Sequence, residues 1–181
     1  MKKQNTKPII GILGGMGPQA SAHLVHLLVE ISTKELGVKN CDEFPEIILD
    51  SIPHPDFISD KKNKKIALMI LKERVRRMNK MQVTMLAIAC NTAHILMDEL
   101  QSVSKVPFVS IIDEIIRELR RKRINKVGLL ASPTTFKSGI FQKAFRPERS
   151  VWPERWIYYK TNESTIKNAG SNHSKGYRRK D

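Results

Sequence analysis

Five short apolar runs, at 8–13, 46–50, 84–89, 107–111 and 126–131, alternate with helix-patterned stretches, and this rhythm constrains the fold more than any other feature of the chain. Each run is too short for a lone buried helix and is rich in Ile, Leu and Val, so it reads as a strand buried on both faces. Helical periodicity fills the gaps at 18–36, 61–81, 92–103, 113–123 and 135–145. Strand alternating with helix in units of roughly 30 residues predicts an α/β fold with a parallel, doubly wound sheet. Ligands of such sheets settle beyond the carboxyl ends of the strands, so chemistry is to be sought just after each run.

The rhythm stops near Phe145. Residues 146–181 carry both tryptophans and all three tyrosines of the chain, with nine basic and four acidic residues. Only 151–159 has strand composition there, and Pro153 interrupts it. The polar, Gly/Ser/Lys/Arg-rich end is expected to be disordered.

At 181 residues, 40% of them hydrophobic, the chain can bury a core, which excludes disorder as its default state. No apolar run approaches the roughly 18 to 20 residues that span a bilayer, and nothing at the start reads as a signal peptide. Two cysteines, Cys41 and Cys90, make neither a disulfide framework nor a zinc cluster, and the five histidines do not fall at metal-ligand spacing. A soluble protein of a reducing cytoplasm, with no metal, no cofactor and no membrane association, is expected.

The net charge of +14 raises nucleic acid or an anionic surface as partners. Its distribution favours a plainer account. Nine basic residues fall within 61–80 and six within 117–126, each stretch with a single acid, and both are helix-patterned. Solvated outer helix faces explain them, and such a field also attracts small anions.

The strand ends differ in information. Gly14-Gly15-Met16-Gly17-Pro18 follows the first run, where glycines allow close backbone approach and Pro18 suits a first helical turn, leaving bare amides for an anion. Gly15 to Ala20 also matches G-x-G-x-x-A, but the acid expected about 20 residues later for a dinucleotide ribose is missing. Asp50-Ser51-Ile52-Pro53-His54-Pro55 follows the second run, where Ser51 and His54 offer hydrogen bonds, and His54 alone reads as fixing a loop. The third run leads directly into Cys90-Asn91-Thr92-Ala93-His94. A thiol at a strand-to-helix switch beside free amides is placed to favour its thiolate. The competing reading is a small buried hydrophobe, and His94 is as well explained by packing as by catalysis. Ser132-Pro133-Thr134-Thr135 follows the fifth run as a second anion-suited turn or an ordinary N-cap.

On these residues the chain resembles the aspartate/glutamate racemase family of cofactor-independent amino-acid racemases. The resemblance covers about 8–145 and rests on Gly11-Ile12-Leu13-Gly14-Gly15-Met16-Gly17-Pro18, Ser51-Ile52-Pro53-His54, Ala89-Cys90-Asn91-Thr92-Ala93-His94 and Gly128-Leu129-Leu130-Ala131-Ser132-Pro133-Thr134-Thr135. It implies two similar α/β domains with the active site between them, often in a homodimer, and two-base proton transfer at the Cα of an amino acid, aspartate above all. It matches Cys90 to one of the two catalytic thiols, and Met16, Gly17, Asn91, Thr92 and Thr135 to substrate-binding positions, with Ser51, His54 and Ser132 as further candidates.

The departures matter as much. Family members carry a second cysteine in a Gly-Cys-Thr-Glu-like segment, and no cysteine follows Cys90 here. Ser132 and Thr134 stand where a threonine and a glycine are usual, and nothing aligns from Arg146 onward. The expected organisation is an N-terminal domain over 1–105 that holds Cys90, the start of a second α/β domain over 106–145, and a foreign basic tail over 146–181. Three readings follow: a racemase of an acidic amino acid, a catalytically inactive truncated remnant of that family, or a basic protein binding nucleic acid or an anionic surface.

Overall fold

The computed structural model describes residues 7–53 and 61–145, so His54 and the tail at 146–181 lie outside the described residues. The chain runs β1 (Ile9–Gly14), α1 (Pro18–Lys34), β2 (Glu46–Ser51), α2 (Lys61–Lys80), β3 (Met85–Ile88), α3 (Met97–Gln101), β4 (Phe108–Val109), α4 (Ile111–Arg121), α5 (Pro133–Ser138) and α6 (Ile140–Phe145), with 3₁₀ turns at Cys41–Glu43 and Thr92–Leu96. Its four strands form one sheet in the order β2-β1-β3-β4, every pairing parallel. The chain winds outward from β1 to β2 on one side and to β3 and β4 on the other. A crevice therefore opens at the carboxyl ends of β1 and β3, where the winding reverses.

Register brings the chemistry-bearing segments to that edge. Leu13 lies opposite Ile88 and Gly14 opposite Ser51. Two further bonds extend the ladders: the Ala89 amide donates to the Leu13 carbonyl at 3.0 Å and the Ile52 amide to the Gly14 carbonyl at 3.1 Å.

The core fills one face of the sheet. Ala67, Leu71, Val75 and Met78 recur every three to four residues along α2 and are fully buried against Leu13, Val83, Leu86 and Ile88. Leu96 and Leu100 close the cluster. Lys65, Arg76, Arg77 and Lys80 of the same helix are exposed, so much of its positive charge sits on a solvated face. The other face is open. Helix α1 buries only Ser21 and Ser32, and its Leu24 and Leu28 join Ile10, Ile12, Val109 and Ile115 around an apolar groove of about 450 Å³.

Three sequence expectations are corrected. The run at 126–131 is not a strand: residues 124–132 have no regular structure, and Leu130 is 75% exposed. A strand of this composition needs a neighbour to pair with and layers to cover it, and among the described residues it has no backbone partner. Instead 127–131 line a second cavity of about 330 Å³ with Ile115, Leu119, Phe141 and Phe145. The helical pattern at 135–145 divides into α5 and α6 at Gly139, whose φ of 69° ends the first turn segment in the left-handed region. The pattern at 92–103 divides into a 3₁₀ turn and a short α3, the tighter turn opening the helix as is common at helix starts.

Candidate active site

The loop after β1 is shaped by a buried serine. Ser21, 1% exposed on the first turn of α1, accepts the Gly15 amide at 3.0 Å and donates to the Gly17 carbonyl at 3.1 Å. This pins Gly14 to Gly17 against the helix start, with Gly17 as its N-cap residue and Met16 half-buried against the core. Ser21 was not singled out in the sequence. The available signal was a small polar residue four positions after Gly17 on the helix's buried face.

Across the crevice, β3 delivers Cys90 half-buried, with Asn91 exposed and Thr92 half-buried behind it. Thr92 reaches forty residues along the chain: its Oγ1 lies 2.7 Å from Thr135 Oγ1 and 3.3 Å from Ser132 Oγ. Ser132 Oγ and Thr135 Oγ1 are 3.0 Å apart, which completes a triangle of hydroxyls. Ser132 also caps α5 by accepting the Thr135 amide at 3.3 Å. Ser132 and Thr135, named from the sequence, are thus brought to Thr92, two residues after Cys90, with Asn91 between. Ser51 stands at the same sheet edge, opposite Gly14 and exposed.

Cys41 is exposed and opens a 3₁₀ turn before β2, at the end of the sheet away from the crevice. Asp50 Oδ2 lies 3.8 Å from Arg74 of α2, an ion pair without a hydrogen bond. Among the described residues no group of three or more His, Cys, Asp or Glu side chains converges as a metal site would require. No described helix is long and apolar enough to cross a membrane.

His94 is buried at 5% exposure and bridges two elements. The Ile111 amide donates to its Nε2 at 3.1 Å, so that nitrogen carries no proton, and Nδ1, 2.8 Å from the Cys90 carbonyl, is the donor. Burial pushes the imidazole's pKa below its ordinary 6.5, opposed by the Cys90 carbonyl and the charge of Asp113. A histidine held neutral contributes stability that is fully present above pH 6.5 and is lost as pH falls from there through the lowered folded value. Urea unfolding of wild type and His94→Gln, compared at about pH 7.5 and about pH 5, will show a smaller pH-dependent loss in the variant. Equal losses would show that His94 titrates alike folded and unfolded.

Comparisons with known proteins bear on the family and the fold. The family model for Asp/Glu/hydantoin racemases matches residues 13–151. The broad-specificity amino-acid racemase RacX of Bacillus subtilis is 30% identical over 141 residues, 76% of this chain and 60% of that protein. An aspartate racemase homologue from Pyrococcus horikoshii superposes with a TM-score of 0.65 at 24% identity, covering 88% of this chain and 67% of that one. Picrophilus torridus aspartate racemase gives 0.62 at 24%, with 76% and 58% covered. A glutamate racemase of Francisella tularensis, solved with D-glutamate, gives 0.55 at 20%, with 77% and 48% covered. The chain spans 60% of the length of the curated relative it matches.

Proposed function

Since this chain belongs to the family of Asp/Glu/hydantoin racemases, we propose that it binds an acidic amino acid in the crevice between β1 and β3 and that Cys90 is the base acting on its α-proton. The observation that carries this reading is the turn Cys90-Asn91-Thr92 at the carboxyl end of β3, tied through the hydroxyl triangle to the start of α5. A thiol is joined there by hydroxyl and amide donors suited to a carboxylate. Aspartate is the substrate named for the Picrophilus torridus neighbour, and the broad amino-acid specificity of RacX supports an amino acid as the substrate class.

The chemistry is a proton transfer. The Cys90 thiolate takes the hydrogen from Cα, and the electron pair left behind delocalises into the carboxylate. Charge developing on those oxygens is met by fixed donors, for which Asn91, Thr92 and Thr135 and the amides of Met16 and Gly17 are the candidates. Acting alone, Cys90 returns a proton to the face it was taken from.

The test is incubation of L- and D-aspartate with the protein in heavy water, followed by NMR of the Cα position and chiral chromatography. Deuterium is expected in one enantiomer with configuration retained. Absence of exchange in both would refute Cys90 as a working base, and full interconversion would show a second proton donor on the opposite face.

A further inference from the structure

The residues after Cys90 fold in a way their helical pattern does not explain. His94 Nδ1 donates to the Cys90 carbonyl at 2.8 Å, while the His94 amide donates to the Asn91 carbonyl at 3.2 Å as the 3₁₀ turn begins. The imidazole thereby fixes the peptide immediately after the thiol, at the entry to that turn. Its other nitrogen accepts the amide of Ile111, the first residue of α4.

We propose that His94 is a positioning residue for Cys90: by holding the Cys90 carbonyl from Nδ1 and the start of α4 at Nε2, it sets where the sulfur is presented and locks that turn to the strand-to-helix junction at Ser110 and Ile111. The proposal rests on the reading of Cys90 as the reactive thiol. Direct proton transfer from His94 to substrate is excluded by geometry, since both ring nitrogens are engaged with backbone groups and the side chain is buried. The triangle around Thr92 restrains the same turn from the side of α5, so Cys90 lies between two independent anchors.

Two variants separate the anchors, because the amide nitrogen of asparagine falls where Nδ1 of histidine does, and the side-chain oxygen of glutamine where Nε2 does. His94→Asn keeps the donor to Cys90, whereas His94→Gln keeps the acceptor for Ile111. Two readouts are used: alkylation of Cys90 by iodoacetamide, followed by mass spectrometry with exposed Cys41 as internal control, and α-proton exchange of aspartate in heavy water. In His94→Gln, Cys90 alkylation is expected to rise at least about threefold, as the freed turn opens locally, and to show no dependence on urea below the unfolding transition. Exchange falls about tenfold or more through kcat with KM little changed, since displacement of the base acts on the chemical step. His94→Asn stays within about twofold of wild type in both.

A purely structural role would make alkylation rise with urea in proportion to global instability, and equally in both variants, and that result overturns the proposal. So does a wild-type rate in His94→Gln. Should both variants fail to fold, nitrogen and carbon NMR of the wild-type imidazole decides: a proton on Nδ1 is required, and one on Nε2 overturns the assignment. If aspartate exchange is absent even in wild type while the alkylation pattern is as expected, the substrate reading fails and the positioning role stands.

Discussion

Gly15→Ala destabilises the protein by about 4 kcal/mol or more, with a melting temperature lower by roughly 10 °C. A Cβ at this position would lie 2.4 Å from the Ile52 amide nitrogen and 2.5 Å from the Ile52 carbonyl oxygen, and backbone atoms cannot swing aside as a flexible side chain does. The residue also adopts a φ of 85°, where a side chain adds strain of about 1 kcal/mol. Relief requires β2 to move away from β1, which breaks the bond from the Ile52 amide to the Gly14 carbonyl. Gly37→Ala is the control. It too has positive φ, at 70°, but no atom within 4 Å of its Cβ, so about 1 kcal/mol is expected. Urea unfolding of the two variants separates crowding from conformation, and equal losses would remove the Ile52 contact as the cause.

Cys90→Ser lowers α-proton exchange of aspartate about 10³-fold while leaving the fold intact. A hydroxyl is nearly the size of a thiol, so packing at this half-buried position is little disturbed. Its proton is lost only at far higher pH, and the oxyanion is a much harder species to hold unsolvated, so the variant has no base to offer near neutrality. Cys41→Ser, altering an exposed thiol remote from the crevice, leaves the rate unchanged. Exchange within about tenfold of wild type in Cys90→Ser would transfer the role of base to another group.

The elements with strong periodicity were legible in the sequence. Residues of α2 show an apolar stripe, Ala67, Leu71, Val75 and Met78, that can belong only to an amphipathic helix on a sheet, and β1 and β3 are compact apolar runs flanked by glycine or polar turns. The run at 126–131 is short and largely apolar like β1, yet it is no strand, because pairing depends on a neighbour that composition cannot supply. The turn after β3 was read as helix because Thr92 to Val103 has helical spacing. Its first five residues are 3₁₀ rather than α, and the hold of His94 on the Cys90 carbonyl at its entry is a side-chain contact that leaves no trace in periodicity. Of the site, the strand-end rule located Cys90 and Thr92 after β3, whereas Thr135 follows a run that is no strand and sits at the start of α5. The direct contact of Thr92 with Thr135 joins residues 43 apart and follows only from the folded path of the chain.

That contact has an electrical side. Three hydroxyls in mutual reach can each donate to the next around a ring, and in that arrangement their dipoles circulate and largely cancel toward the outside. On the function proposed above, an incoming carboxylate would break the circulation by turning the Thr92 and Ser132 hydroxyls outward, while Thr135, 1% exposed, stays within the ring. Because Thr92 and the Ser132–Thr135 pair belong to separate segments, the same swing loosens the stitch between them. Capture of charge there would then be set against the grip between the turn after β3 and the start of α5, through a few rotatable O–H bonds.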